Sequence, residues 1–171
     1  MRIQYKIEFL DYWHLSSGLS AGTKLDASVV KDEDGIPFAA GKTIKGLARE
    51  MAELLEDEPF VEKCFGSSGV NMGTCYFSNA SVLVGVKEQI ITNSLQENLY
   101  AEIASTKIEN GMAVDHSLRE TEVVIPITLY GEIDNVPQVY EEQMTKSLKM
   151  IKRMGLNRNR GLGRCSIKME G

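Results

Sequence analysis

Ile3-Gln-Tyr-Lys-Ile-Glu-Phe9 alternates apolar and polar side chains without a break, putting Ile3, Tyr5, Ile7 and Phe9 on one face and Gln4, Lys6, Glu8 and Leu10 on the other. A period of two over this length predicts a first strand at residues 2–10 with one buried face. Residues 14–41, rich in Gly, Ser and Asp, end in Gly35-Ile-Pro-Phe-Ala-Ala-Gly41, and a connection this long is read as functional. Lys42 to Glu56 then carries Ile44, Leu47, Ala48, Met51, Leu54 and Leu55 at helical spacing, with Thr43 as the expected cap. The β-branched and aromatic runs Cys75–Val86 and Glu122–Ile133 predict two more strands. Between them the polar segment 87–121 is expected to project as a hairpin or extended arm. A second helix is predicted over Pro137–Met154, with Val139, Met144, Leu148, Ile151 and Met154 facing inward, and a last strand over Leu162–Met169.

Strand, helix, strand, strand, helix, strand is the ferredoxin-like βαββαβ order, an α+β fold. The chain is therefore read as a single domain, 1–171, with 87–121 as an inserted arm. This fold serves many unrelated functions, RNA recognition among them, so function has to come from the sites. The aromatic-rich strand motifs of RNA-recognition modules are absent from the sequence.

Composition bounds the answer. With 171 residues, 43% hydrophobic content and four prolines, the chain can bury one substantial core. Cys64, Cys75 and Cys165 form an odd set without paired spacing, which predicts buried thiols in a reducing, cytoplasmic setting and argues against a disulfide framework or a zinc site. No run approaches the roughly 20 apolar residues of a membrane span, and the alternating N-terminus is not a signal core, so no membrane partner is expected.

The net charge of −5 hides an asymmetry. Thr145–Met169 contains eight Lys or Arg and no Asp or Glu, whereas the first 144 residues hold 11 basic and 23 acidic side chains. Within the basic end lies Gly155-Leu-Asn-Arg-Asn-Arg-Gly-Leu-Gly-Arg164. Glycines at 155, 161 and 163 permit positive φ and close backbone approach, while Arg158, Arg160 and Arg164 supply forked donors suited to phosphate. A helix cap requires only Gly155, so the arginines point to a polyanion. Lys42, Lys45 and Arg49 recur on one side of the first helix, near its electropositive start, with Lys24 a further cation upstream. Arg158, Arg160, Gly161, Gly163 and Arg164, together with Lys24, Lys42, Lys45 and Arg49, are thus the expected set for binding a polyanion such as a nucleic-acid backbone.

Several of these stretches occur in an order that resembles the RAMP superfamily of CRISPR-associated proteins, especially the repeated backbone subunit of type III (Csm/Cmr) effector complexes. They are His14-Leu-Ser-Ser-Gly18, Leu25-Asp-Ala-Ser-Val-Val-Lys-Asp32, Gly35-Ile-Pro-Phe-Ala-Ala-Gly-Lys-Thr-Ile-Lys-Gly-Leu-Ala-Arg49, Phe65-Gly66, Phe77-Ser-Asn-Ala80, Arg119-Glu-Thr-Glu-Val123 and the glycine loop. The resemblance implies a guide-RNA-binding subunit that cleaves complementary target RNA in antiviral defence. Asp26 matches the position of the aspartate that such subunits need for cleavage, and a loop carboxylate can hold a divalent metal, expected to be Mg²⁺. The implied partners are CRISPR guide RNA, target RNA, copies of the same chain in a head-to-tail filament and other type III effector subunits. The 87–121 arm corresponds to a thumb over the guide–target duplex, in which Met112, Ala113 and Val114 either wedge the duplex or pack back on the domain. Asp32 and Asp34, beside Gly35, are read as turn residues, and His14 as a structural residue closing the strand-to-loop turn.

Three other readings stay open at the level of sequence. One is a non-catalytic RAMP subunit that holds or caps the guide RNA, with Asp26 in an Asx-turn. Another is a metal-independent guide-processing endoribonuclease acting through His14. The third is a ferredoxin-like protein-interaction domain without an RNA partner.

Overall fold

The alternating N-terminal run is realised as β1, Ile3–Phe9, with Ile3, Tyr5, Ile7 and Phe9 all buried. The computed structural model of the chain describes residues 1–16, 28–55, 57–67, 69, 71–106, 108–110, 112–113 and 119–170. After β1 come α1 (Gly41–Glu53), α2 (Glu58–Phe65), β2 (Tyr76–Phe77), α3 (Val84–Thr92), β3 (Tyr100–Ser105), β4 (Ile108–Glu109), β5 (Met112–Ala113), β6 (Arg119–Val124), β7 (Thr128–Asp134), α4 (Glu141–Met150) and β8 (Cys165–Glu170).

The central sheet has the antiparallel order β2-β7-β1-β8. With β1, β2, β7 and β8 as the four frame strands and α1 and α4 as the two frame helices, both chain order and sheet order are ferredoxin-like. β1 lies between β7 and β8 in a register that pairs Ile3 with Ile133, Ile7 with both Leu129 and Ile167, and Phe9 with Cys165. Its apolar face meets Ile44 and Ala48 of α1 and Met144 and Leu148 of α4 in one core. Each fully buried aliphatic side chain of this kind contributes about 1.5–3 kcal/mol. All three cysteines are free and buried, and burial pushes the Cys165 thiol up to about 11.

The arm is a hairpin. β3 and β6 pair from Tyr100↔Val124 to Ser105↔Arg119, and the short β4–β5 ladder continues toward the tip. Met112 on β5 is 71% exposed, while Gly111 and residues 114–118 lie outside the described residues.

Several sequence expectations need correction. The predicted strand Cys75–Val86 pairs regularly only at Tyr76–Phe77. Beyond that the edge is interrupted: Asn79 turns its Oδ1 to accept the Gly41 N–H at 2.9 Å and Ala80 pairs with Ala39, which caps and braces α1, before Ser81 pairs again with Tyr130 of β7. Asn79, not Thr43, therefore supplies the side chain at this helix end. The Val82–Val86 run starts α3, which overlaps the predicted arm and has no buried residue. The predicted strand Glu122–Ile133 is broken around Pro126, which lacks an N–H: β6 belongs to the arm and β7 to the central sheet. The second helix is shorter than Pro137–Met154, beginning with a 3-10 turn at Gln138–Tyr140. Val139 and Leu54, expected inside, are 73% and 65% exposed. α2 has no counterpart in the sequence reading, although Asp57 caps it by accepting the Phe60 N–H at 3.1 Å.

Candidate nucleic-acid interface

Tyr12–Ser16, the five residues that follow the turn after β1, form a ridge where three features meet. On one side the Tyr12 carbonyl accepts the Gly163 N–H at 2.8 Å and the His14 carbonyl accepts the Leu156 N–H at 2.9 Å, which docks the glycine loop. On the other side Trp13 exchanges backbone hydrogen bonds with Val124, at 3.1 and 2.8 Å, which docks the base of the arm. At the far end the Leu15 carbonyl accepts the Val30 N–H at 2.9 Å and Ser16 bridges to Val29. This last pairing is the stem of the 17–27 segment. Asp26 and Lys24 fall in that segment and lie outside the described residues.

The glycine loop divides into a docked base and an exposed tip. Gly155 and Gly163 have φ of +91° and +71°, and an added Cβ would lie 2.2 Å from the His14 carbonyl oxygen and 2.0 Å from that of Met154. These two glycines are required by close backbone packing. Gly163 is buried and its N–H is taken by Tyr12, so it shapes the loop and does not face an anion as the sequence suggested. Gly161, with φ +91° and nothing within 4 Å of an added Cβ, belongs to the open tip. Arg160 beside it is exposed and has no ion-pair partner among the described residues. Arg158 is partly exposed and approaches Glu50 only at 3.8 Å, whereas Arg164 forks onto Asp11 at 3.1 and 3.3 Å. The three arginines are thus unequal.

The α1 cations are also separated by the tertiary structure. Lys42 is exposed, but Lys45 donates to the Met72 carbonyl at 3.0 Å. Arg49 pairs with Glu53 at 2.8 Å and donates to the Gly66 carbonyl at 3.1 Å. Both therefore hold backbone carbonyls, those of Gly66 and Met72, against α1.

His14 is fully buried, and its Nδ1 lies 2.6 Å from the Glu122 carbonyl oxygen. A carbonyl only accepts, so Nδ1 carries the proton. Nε2 is buried without a partner among the described residues. A side chain so enclosed cannot reach an RNA 2′-OH, which removes the support for a nuclease acting through His14.

Residues 28–36 are held by a charged network that the sequence reading missed. Asp32 Oδ1 accepts the Asp34 and Ile36 N–H groups at 3.0 and 2.9 Å, forming the expected turn. Lys87 of α3 bridges Asp32 and Asp34 at 2.7 and 2.8 Å. Tyr100 donates its hydroxyl to the Gly35 carbonyl at 2.7 Å. Glu122 of β6 accepts the Val29 N–H at 2.9 Å and pairs with Lys31 at 2.7 Å. Glu122 and Val29 are 93 positions apart, and strand alternation alone does not identify such a partner. Asp32, Asp34 and Glu122 are each paired with a lysine, and no group of three metal-ligating side chains occurs among the described residues. A protein-built metal cage is therefore absent from the described part of the interface.

The network makes a pH prediction. Burial by itself raises the Asp32 carboxyl, but the hydrogen bonds from Lys87, Ile36 and Asp34 outweigh it and hold the carboxyl below its ordinary value. Because the folded-state value is depressed, its stabilisation is present above the unfolded value of about 4 and is lost as pH falls through the folded one. Wild type should therefore lose its stability advantage over Asp32→Asn in acid, as followed by denaturation midpoints across pH. A gap independent of pH would contradict the assignment.

The model of the RAMP superfamily matches residues 6–166, from within β1 to within β8, and so spans the sheet, the arm and the glycine loop. The chain belongs to the RAMP superfamily. Among solved structures, this RAMP chain is similar to a chain of the type III-B Cmr-beta complex bound to cognate target RNA, determined by cryo-EM. The TM-score is 0.77 at 10% identity, covering 99% of this chain and 97% of that one. The apo state of type III-B Cmr-beta gives a TM-score of 0.74, with the same identity and coverage. At this identity the likeness is one of fold, and it agrees with the ferredoxin-like frame. No curated protein matches the chain. No helix among the described residues is long and apolar enough to cross a membrane.

Proposed function

We propose that this RAMP protein is a guide-RNA-binding backbone subunit of a type III CRISPR interference complex that cleaves complementary target RNA through Asp26. The observation that carries the reading is the Tyr12–Ser16 ridge, which joins the exposed arginines of the glycine loop, the base of the arm and the stem of the Asp26 segment. Arg158 and Arg160 grip phosphates of the guide, which supplies sequence recognition by base pairing. Copies of the chain follow one another along the guide, head to tail, beside other type III effector subunits in the cytoplasm.

RNA carries its own nucleophile, the 2′-OH, so cleavage needs in-line geometry, proton transfer and neutralisation of phosphate charge. Asp26 is assigned the role at the scissile phosphodiester. The Asp26 carboxylate would hold a divalent metal such as Mg²⁺, which would supply charge neutralisation at the phosphate.

The test is cleavage of labelled target RNA by the guide-loaded assembly. Evenly spaced products in Mg²⁺ that disappear in EDTA and in Asp26→Ala are expected. Target that stays bound and uncut by the wild-type assembly would make this a subunit that only holds RNA, with Asp26 a turn residue. An assembly that purifies free of nucleic acid and fails to bind guide RNA at low salt would instead make it a protein-interaction domain.

A further inference from the structure

Glu122 touches both flanks of the segment that contains Asp26. Its backbone carbonyl receives the His14 Nδ1 hydrogen bond at 2.6 Å, on the flank that enters residues 17–27. Its carboxylate receives the Val29 N–H at 2.9 Å and the Lys31 ammonium at 2.7 Å, on the flank that leaves them. Glu122 lies on β6, the strand by which the arm returns to the domain, and is only 8% exposed. The arm's outgoing strand grips the same place, because the Lys31 ammonium sits 3.8 Å from the centre of the Tyr100 ring and the Tyr100 hydroxyl holds Gly35.

We propose that Glu122 is a positioning residue that locks both flanks of the Asp26 segment, at His14 and at Val29–Lys31, to the base of the arm. The proposal rests on the reading of Asp26 as the cleaving residue. Stability alone is a weak reason for this arrangement, since a shielded ion pair is commonly matched by well-packed apolar side chains. An apolar replacement would not give the geometry. One carboxylate accepts from two fixed donors in different directions, while its own backbone fixes a third point, and three points define the orientation of the stem relative to β6. In-line attack needs that definition, because a displacement of about 1 Å can lower the rate about 100-fold.

Hydrogen exchange and target cleavage, measured on wild type, Glu122→Ala, Glu122→Gln and Asp26→Ala in the guide-loaded assembly, test this. Glu122→Ala should speed exchange of the Val29–Lys31 amides while β1 stays protected. It should slow cleavage at saturating target about 10- to 100-fold. Target affinity should be unchanged, and cuts should spread to neighbouring phosphodiesters. Glu122→Gln, which keeps an acceptor for Val29, should fall between Glu122→Ala and wild type in exchange, rate and spread of cuts, and it carries the test if Glu122→Ala loses β1 protection. Unchanged exchange at Val29–Lys31 overturns the proposal, as does wild-type cutting by Glu122→Ala when Asp26→Ala is inactive. Wild-type cutting by Asp26→Ala overturns the catalytic reading instead, and the exchange data still decide whether Glu122 fixes the flanks.

Discussion

Gly163→Ala is expected to cost about 3 kcal/mol or more, a large part of the 5–15 kcal/mol by which a domain is typically stable. The new Cβ would lie 2.0 Å from the Met154 carbonyl oxygen, at a φ of +71°. Neither partner can move freely. Met154 donates its N–H to the Gly163 carbonyl at 3.0 Å and its side chain is fully buried, while the Gly163 N–H is fixed on Tyr12. Relief of the clash has to separate the glycine loop from the ridge that also carries the stem of the Asp26 segment. Gly161→Ala is the control: its φ is also positive, at +91°, but nothing lies within 4 Å, so only the left-handed penalty of about 1–2 kcal/mol remains. Chemical denaturation of the two variants separates close packing from backbone preference, and equal losses would show that the 2.0 Å approach is not limiting.

Arg158→Ala combined with Arg160→Ala should weaken guide-RNA binding roughly 30-fold, from about 1 kcal/mol for each lost phosphate contact. The salt dependence should also flatten, by about 0.7 in log–log slope for each contact to single-stranded RNA. Arg164→Ala should do less, because Asp11 already accepts from its guanidinium at 3.1 and 3.3 Å. Lys45→Ala and Arg49→Ala should act chiefly on stability, since their donors hold the Met72 and Gly66 carbonyls. Titrations of labelled guide RNA at several salt concentrations measure all of these. Equal losses at Arg158, Arg160 and Arg164 would mean that the Asp11 pair opens on binding. No loss at Arg158 and Arg160 would remove the exposed tip from the interface.

His14 illustrates how a residue type can suggest chemistry that its surroundings forbid. A histidine just after the first strand of a RAMP sequence invites a general-base role, yet full burial and the Nδ1 contact to Glu122 make it a fastener between ridge and arm. The glycine loop shows the converse. Its sequence signalled both unusual backbone and available charge, and the structure assigns these to different residues: Gly155 and Gly163 to packing, Arg158 and Arg160 to the exposed tip.

Local sequence patterns are enough to specify the frame of this protein. Period-two alternation in Ile3–Phe9, the apolar stripes of α1 and α4 and the closing strand lead to βαββαβ, because patterns of this kind depend only on near neighbours and on which face is buried. The sequence also located the basic end, since charge is a property of composition. Tertiary structure decided what lies between distant residues. The turn of Asn79 toward α1 and the meeting of His14, Val29 and Lys31 on Glu122 each depend on a partner tens of residues away. Such contacts leave no periodic trace in the chain. Their energies also come from desolvated hydrogen bonds and ion pairs, whose strength depends on burial that exists only once the fold has closed.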